Sequence, residues 1–284
     1  MIKKITQVLV AILLISFSFY YTNKTIELIR KTDPIMQEIK ENKDKFIVAP
    51  EDAKIEEDKI IPGKKGMEID YDKSFQKMKQ YGTYNESLTV LKEVAPTISI
   101  EDNYDKFVIS GNNDKKEVAL VFPTYYDTSP MKILQILNQN SVLGTFFIDG
   151  TWLESNLSLV KSMEQHEVEI LNYNNKYEEL YFKSALEYLQ NVIEEKPKYC
   201  YADYDNKEVI SLCSKLKLHT VTPTIKTTSN PYQEVVDKLQ NGAIISLPIS
   251  TTTEKELDLV IKYIKGKGYN IVTLDKLLSE NYDK

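Results

Sequence analysis

The chain has 284 residues, 42% of them hydrophobic, which is long enough for one large domain with attached segments. Its formal net charge is −6, and the main body contains no cluster of lysine and arginine, which argues against a nucleic-acid or polyanionic partner. The two cysteines, Cys200 and Cys213, are too few for a disulfide framework, so the sequence favours two buried thiols.

The N-terminal segment contains an apolar run, residues 5–21, that follows two lysines. A span of about 17 residues is at the short end for a membrane-crossing helix. A cleaved signal peptide is the alternative, but residues 16–18 fit a small-x-small cleavage site only loosely, and the aromatic residues 19–21 are typical of a membrane interface. We therefore predict an uncleaved single-pass anchor over residues 1–22, with the membrane as its partner.

Two further segments precede the main domain. Residues 23–66 predict a juxtamembrane helix interrupted at Asp33-Pro34, followed by a charged linker, and together these form a stalk. Residues 67–116 predict a small α+β module with a helix at 70–80 and strands at 86–94, 97–100 and 107–110.

From residue 117 to residue 284, short apolar runs alternate with amphipathic segments. The pattern predicts strands at 118–122, 145–148, 168–171, 199–201, 219–222, 243–247 and 270–273. It predicts helices at 130–140, 155–165, 178–194, 207–215, 232–240, 254–265 and 275–279. Strands that alternate with helices form a parallel sheet, and ligands bind at the carboxyl ends of its strands. Seven such repeats predict an α/β fold, a distorted or incomplete (β/α)7 barrel.

The opening of this domain resembles a known family. The strand at 118–122, the helix that follows Ser129-Pro130, and the run Gly144-Thr145-Phe146-Phe147-Ile148 are similar to the first motifs of the polysaccharide deacetylases, the NodB-type carbohydrate esterases. The likeness extends to Leu278. It implies a NodB-type barrel outside the cell that removes acetyl groups from envelope glycan with a bound metal ion.

The residues that the resemblance implies for catalysis are absent. The family's Phe-Asp-Asp, which supplies the general base and a metal ligand, is Phe122-Pro123-Thr124 in this chain. The two histidine ligands fall on Leu171 and Asn175, or on Tyr173 and Tyr177 after a two-residue shift. The family positions, including the arginine of the third motif and the final histidine, are occupied by Pro123, Thr124, Leu171, Asn175, Tyr201 and Pro248.

Metal-dependent amide hydrolysis needs a metal that activates water, a proton acceptor and a proton donor. The substituted residues supply none of these, so we predict no catalytic residues, no bound metal and no cofactor. A replacement zinc site made of Cys200, Cys213, His166 and His219 fits no compact ligand spacing. We expect His166 to be an exposed residue at a helix end and His219 to be a core or strand-edge residue. No Gly-x-Ser-x-Gly elbow is present.

Polar and aromatic residues nevertheless follow the predicted strand ends. Aromatic rings stack on sugars, and amides and carboxylates hydrogen-bond to hydroxyl groups. The candidate ligand-binding residues are Tyr125, Tyr126, Asp127, Asn172, Tyr173, Asn175, Asp203, Tyr204 and Asp205. We therefore predict a membrane-anchored, extracytoplasmic, catalytically inactive protein that binds or scaffolds envelope glycan such as peptidoglycan.

Two alternatives stay open. The first is an active peptidoglycan or polysaccharide N-deacetylase in which Asp127, Asp203 and Asp205 hold a divalent metal such as zinc through oxygen ligands. The second is a purely structural partner in a membrane complex, in which the stalk and the 67–116 module carry the function.

Overall fold

A computed structural model of the protein describes residues 12–22, 24, 30–125, 127–174 and 176–282. The strands are β1 Lys54–Glu56, β2 Lys59–Ile61, β3 Gly66–Ile69, β4 Leu91–Val94, β5 Phe107–Val108, β6 Glu117–Thr124, β7 Thr145–Asp149, β8 Glu167–Asn172, β9 Tyr199–Tyr201, β10 His219–Val221, β11 Ile225–Lys226, β12 Ile244–Ser246 and β13 Asn270–Val272. The helices are α1 Pro34–Glu41, α2 Tyr71–Tyr81, α3 Met131–Gln139, α4 Gly150–Ser155, α5 Leu157–Lys161, α6 Glu179–Ile193, α7 Lys207–Lys215, α8 Pro231–Lys238, α9 Thr251–Gly266 and α10 Leu274–Leu278.

Contacts divide these elements into two compact units. The first combines Met1–Pro50 with Gly66–Val94, and the second combines Glu51–Lys65 with Ala95–Lys284. These boundaries differ from the predicted ones. Residues 23–50 of the predicted stalk belong to the first unit and residues 51–65 to the second, and the predicted 67–116 module is divided after Val94.

In the first unit, helix α1 packs on helix α2, and β3 pairs antiparallel with β4. The buried residues Ile35, Ile39, Ile69 and Met78 form its core. Asp33 caps α1 because its carboxylate accepts a hydrogen bond from the backbone N–H of Ile35 at 3.0 Å. The Asp33-Pro34 pair, predicted to interrupt a helix, therefore begins one, since proline suits the first helical position.

The N-terminal segment is described only in part. Residues 12–22 are helical, and their large apolar side chains are exposed. In the part of the chain that the structure describes, no helix has both the length and the apolar character needed to cross a bilayer. Residues 1–11 of the predicted anchor lie outside the described residues.

The second unit is built on a curled sheet. The strand order is β1-β2-β5-β10-β9-β8-β7-β6-β12-β11, and β13 also pairs with β6. All pairs are parallel except β1 with β2. Among the described residues β1 and β11 do not pair, so the barrel is incomplete, as predicted. The seven predicted strands are confirmed within two residues at each end.

Strand β6 shows how the sequence specifies this sheet. Its side chains alternate between two buried clusters: Val118, Leu120 and Phe122 pack under the helices, whereas Ala119 and Val121 join the cluster inside the curl. All five are fully buried. A parallel strand covered on both faces is apolar at every position, which is the pattern that residues 118–122 carry.

Two predicted elements of the second unit are wrong. Residues 97–100 do not form a strand, because Ser99 caps a single 3₁₀ turn, Ile100–Asp102. The helix predicted at 155–165 is two shorter helices, α4 and α5, that meet at Asn156. Asp149 accepts hydrogen bonds from the backbone N–H groups of Thr151 and Trp152, so α4 begins directly after β7.

The prediction of two free thiols is also wrong. Cys200 on β9 and Cys213 on α7 form a disulfide, and both are fully buried. Helix α7 follows β9 and packs against it, which brings the two Cα atoms to 6.3 Å despite a separation of 13 residues. That distance lies within the range a disulfide bridges.

Glu280 is hydrogen-bonded to two other segments of the second unit. The buried carboxylate of Glu280 accepts hydrogen bonds from the backbone N–H groups of Gly63 at 2.8 Å and Ile100 at 3.2 Å, and from the hydroxyl of Ser99. Its carbonyl oxygen accepts from the backbone N–H of Lys65 at 2.6 Å. The last residues thus join two segments that are distant in sequence.

Candidate functional site

The carboxyl ends of β6 to β9 and β12 form the mouth of the barrel, where the site is expected. Thr124 ends β6 with no exposed surface, and its hydroxyl donates to the carbonyl oxygen of Phe122 at 3.2 Å. Leu171 on β8 is 1% exposed and belongs to the apolar cluster inside the curl. Neither side chain offers a free donor atom to the mouth. Tyr126 and Asn175 lie outside the described residues.

A hydrogen-bonded chain crosses the mouth from β12 to β11. The Tyr201 hydroxyl lies 2.7 Å from both the Asp203 carboxylate and the Ser246 hydroxyl. Because the single phenolic proton is donated to Asp203, Ser246 donates its own proton to Tyr201. Asp203 also forms an ion pair of 3.0 Å with Lys226. Each polar group of this chain therefore finds its partner within the protein.

Three phenols surround Asp203 and remain neutral. Burial, together with the Asp203 charge, raises the pKa of Tyr125 to about 12 and that of Tyr177 to about 12. The same two causes raise the pKa of Tyr201. All three phenols therefore act as hydrogen-bond donors at neutral pH rather than as bases.

Asn172 has an unused acceptor at the mouth. It ends β8, is 4% exposed, and its side chain hydrogen-bonds to Tyr177. Its Oδ1 atom has no hydrogen-bond partner among the described residues. A buried acceptor without a partner costs about 1–3 kcal/mol, so a ligand or water that donates to it is favoured.

An aromatic surface lies beside Asn172. The ring of Tyr173 stacks on that of Tyr181, with 5.5 Å between centroids. Gly150 allows this arrangement, since a Cβ there would lie 2.6 Å from the Tyr173 ring. Tyr181 and Tyr204 are 50% and 67% exposed. We call Tyr173, Tyr181 and Tyr204 the aromatic rim.

Part of the chain matches a known protein family. The sequence pattern described as polysaccharide deacetylase matches residues 110–221. This part of the chain is therefore similar in sequence to the polysaccharide deacetylase family. The match covers the strands from β6 to β10, which form the centre of the sheet and most of the mouth.

Three similar proteins illustrate the relationship. YlxY of Bacillus subtilis is 27% identical over 90% of this chain and 87% of its own length. The peptidoglycan-N-acetylmuramic acid deacetylase PdaA of Bacillus subtilis is 26% identical over 64% of this chain and 78% of its own. The crystal structure of BA3943, described as a CE4 family pseudoenzyme from Bacillus anthracis, has a TM-score of 0.67, with 24% identity over 89% of this chain and 97% of its own.

The metal ion of the deacetylase family does not fit the donors at this mouth. The ligand positions that the structure describes hold the hydroxyl of Thr124, which is turned to its own backbone, and the hydrocarbon of Leu171. Divalent metals need carboxylate, imidazole or thiolate donors. In the described residues no group of three or more His, Cys, Asp or Glu side chains is placed to hold an ion.

The aspartates of the alternative metal site are dispersed. Asp203 pairs with Lys226, and Asp205 pairs with Lys59 at 3.1 Å. Asp127 is exposed. A carboxylate that already holds a lysine must break this ion pair before it can bind a metal.

The histidines and cysteines do not form the alternative zinc site. The disulfide uses both cysteines. The prediction that His166 is exposed is wrong: it is 8% exposed, because its Nδ1 accepts a hydrogen bond from the backbone N–H of Gly144 at 3.2 Å and its ring lies edge-on to Phe146. The prediction for His219 is confirmed, since it lies buried in β10 and stacks on Tyr104.

Some residues of the mouth were not among the predicted candidates. Asp149 is fully buried at the end of β7, and its position as the cap of α4 was readable from the Asp-Gly-Thr sequence. Tyr177 falls on a family ligand position only after a two-residue shift of the motif. No local sequence pattern indicates a role for Lys226 or Ser246, because the partner of each lies on or after another strand.

Proposed function

We propose that the protein is a non-catalytic deacetylase-like protein that binds envelope glycan at the mouth of its barrel. One observation carries the first half of this proposal: where the family places an arginine, Tyr201 forms the closed chain from Ser246 to Lys226. General-base catalysis and metal activation of water need groups with free lone pairs facing the substrate. The carboxylate and hydroxyl groups of this chain direct their lone pairs to donors within the protein instead.

The aromatic rim and Asn172 support glycan as the ligand. Sugar rings stack on exposed aromatic faces, and the free acceptor of Asn172 suits a hydroxyl or amide N–H. PdaA is named for its action on peptidoglycan, and BA3943 is titled a pseudoenzyme of the same CE4 family. The first name favours an envelope glycan as the ligand of this protein. The second favours a protein that has lost catalysis.

The disulfide and the N-terminal helix support a location outside the cytoplasm. Disulfides persist in oxidising compartments and are rare in the cytosol. The exposed apolar side chains between Ile12 and Tyr21 suit insertion into a bilayer. A C-terminal fusion to alkaline phosphatase, which is active only after export, should be active in cells. An active β-galactosidase fusion with an inactive phosphatase fusion would contradict this location.

The glycan proposal is tested by sedimentation of the full chain, in mild detergent, with purified peptidoglycan. The wild type should sediment, and Tyr181→Ala combined with Tyr204→Ala should reduce the bound fraction at least fivefold. Tyr81→Ala, which removes an exposed tyrosine of the first unit, is the control. Equal binding by the wild type and the double variant would count against this site.

Metal analysis separates the proposal from the alternative of an active deacetylase at Asp127, Asp203 and Asp205. The purified chain should hold no stoichiometric zinc, cobalt or nickel and should release no acetate from acetylated chitooligosaccharides. Bound metal together with acetate release would establish the alternative instead. If variants of the aromatic rim still co-purify with a membrane protein, the alternative of a structural partner in a membrane complex is favoured instead.

A further inference from the structure

Helix α10 closes the amino end of the barrel. It follows β13 and is hydrogen-bonded to residues at the start of β7, β8 and β9. Its three leucines, Leu274, Leu277 and Leu278, are buried in the cluster inside the curl, together with Ala119 and Val121 of β6. The helix therefore covers apolar surface that would otherwise face water.

The chain is anchored separately before and after this helix. Strand β13, just before it, pairs in parallel with β6. Glu280, just after it, is buried and accepts hydrogen bonds from three groups of other segments. Helix α10 itself has five residues, and a helix this short is unstable without its packing. Residues 273–279, which we call the strap, can therefore open locally between two anchors that stay in place.

Glu167 holds the start of α10. Its Oε2 atom accepts hydrogen bonds from the backbone N–H of Asp275 at 3.1 Å and from the hydroxyl of Thr145 at 2.6 Å. The oxygen of that hydroxyl accepts a hydrogen bond from the backbone N–H of Leu274 at 3.0 Å. One carboxyl group thus fixes the first turn of the helix, both directly and through Thr145.

The groups that face Glu167 leave no positive charge free to balance it. Asp275 forms a 2.7 Å ion pair with Lys198 and accepts a hydrogen bond from the Tyr199 hydroxyl at 3.1 Å, so this pair is neutral as a whole. Glu169, two residues along β8, is 3% exposed. Burial raises the pKa of Glu169 well above its usual value, so its carboxyl is protonated and neutral.

Other neighbouring elements add little charge. Strand β7 presents Thr145 and Phe147 on this face, and its one carboxylate, Asp149, lies at the other end of the strand. His166 packs on Phe146 on the opposite face, which helices α4 and α6 cover. The remaining charged side chains nearby are exposed and screened by water: Lys161, Glu164, Glu194, Glu195, Lys196 and Lys276.

Ionisation of Glu167 therefore adds an unbalanced negative charge beneath α10. Burial raises the pKa of Glu167 from 4.5 to about 7, and the charge of Asp275 acts in the same direction. Once the strap has opened, the carboxyl faces water and has its ordinary pKa. The open state then binds fewer protons between pH 4.5 and 7, so a rise in pH favours it.

We propose that the strap is a pH-dependent plug, which closes the amino end of the barrel while Glu167 is protonated and opens when Glu167 ionises. Opening exposes the three leucines of α10 and gives access to the apolar interior from the end opposite the mouth. The two pKa values of Glu167 limit the change in the ratio of open to closed strap to about 300-fold. The device is independent of glycan binding, because the glycan site lies at the other end of the strands.

Hydrogen exchange of the full chain in mild detergent, at pH 5.5 and pH 8.5, tests the plug. Protection factors, which remove the intrinsic pH dependence of exchange, are compared for residues 274–278 and for helix α9. Protection of residues 274–278 should fall at least tenfold at the higher pH, whereas that of α9 should stay constant. Equal protection of residues 274–278 at both pH values, or a parallel loss in α9, would refute the proposal.

Three variants identify the trigger. Glu167→Gln should keep residues 274–278 protected at pH 8.5, because the amide oxygen still accepts both hydrogen bonds and carries no charge. Glu187→Gln, which changes an exposed glutamate of α6, should behave as the wild type. Leu277→Ala removes buried packing and should lower protection at both pH values, which defines the open state. A tenfold fall that persists in Glu167→Gln, or full protection in Leu277→Ala, would overturn the plug.

Discussion

Tyr201 shows how one residue changes the mouth of this barrel. Its ring packs against Phe147 at 5.3 Å between centroids, and its hydroxyl joins Ser246 to Asp203. A phenol of raised pKa cannot carry the positive charge of the arginine that the family has at this position. The substitution therefore exchanges a charged group for a structural one.

Tyr201→Phe should lower the free energy of unfolding by about 1–3 kcal/mol, because Ser246 and Asp203 lose a buried partner while the ring packing is kept. Tyr204→Phe is the matched control, since Tyr204 is largely exposed, and its effect should stay within about 0.5 kcal/mol. Urea denaturation at pH 7 measures both. Equal stability of the two variants would show that the hydrogen-bonded chain contributes nothing.

Glu167 predicts a specific dependence of stability on pH. Burial raises its pKa from 4.5 to about 7. Between these two values the folded protein holds a proton that the unfolded chain has released, so the stability due to this group falls as pH rises and stays low above about pH 7. Glu167→Gln should remove this fall, which amounts to at most about 3 kcal/mol.

Urea denaturation at pH 5, 6, 7 and 8 tests this expectation. The variant should gain stability over the wild type as the pH rises, whereas Glu187→Gln should follow the wild type. Burial lowers the pKa of His219 to about 4, which makes stability rise with pH below 6.5. This contribution is present in all three proteins and cancels in the comparison. A constant difference between variant and wild type would contradict a raised pKa at Glu167.

At the scale of elements, the disulfide joins β9 to the helix that follows it. Replacing both Cys200 and Cys213 with alanine opens a loop of 13 residues. The expected loss is about 2–4 kcal/mol, because the unfolded chain regains conformational freedom. Thermal unfolding should show a lower midpoint for the variant. A reducing agent should lower the wild-type midpoint only, and an equal response of both proteins would mean that the bridge does not form.

The sequence does not show which element helix α1 packs against. Its apolar residues are visible as Ile35, Met36 and Ile39, but their partners on α2 lie more than 30 residues away. Ile39→Ala should destabilise the first unit by about 2–5 kcal/mol, since Ile39 is 1% exposed. Lys40→Ala, on the exposed face, is the control. Hydrogen exchange in residues 71–81 should accelerate for Ile39→Ala only; unchanged exchange would support a free stalk.

At the scale of the whole molecule, short sequence patterns predict the elements that depend only on neighbouring residues. The buried strands β6 to β10 follow from apolar runs, and the altered catalytic positions follow from motif alignment. What could not be predicted depends on residues brought together by the fold. The Cys200–Cys213 pair needs the packing of α7 on β9, and the Lys226–Asp203 pair needs two strands that are not neighbours in the sheet.

The position of Glu280 also bears on the order in which the protein folds. Its carboxylate holds Gly63, Ser99 and Ile100, which lie at least 180 residues earlier in the chain. Closing so long a loop costs entropy before the contacts repay it, and contacts of large sequence separation slow folding. We therefore expect these hydrogen bonds to form late, after the strands of the sheet have brought the distant segments together.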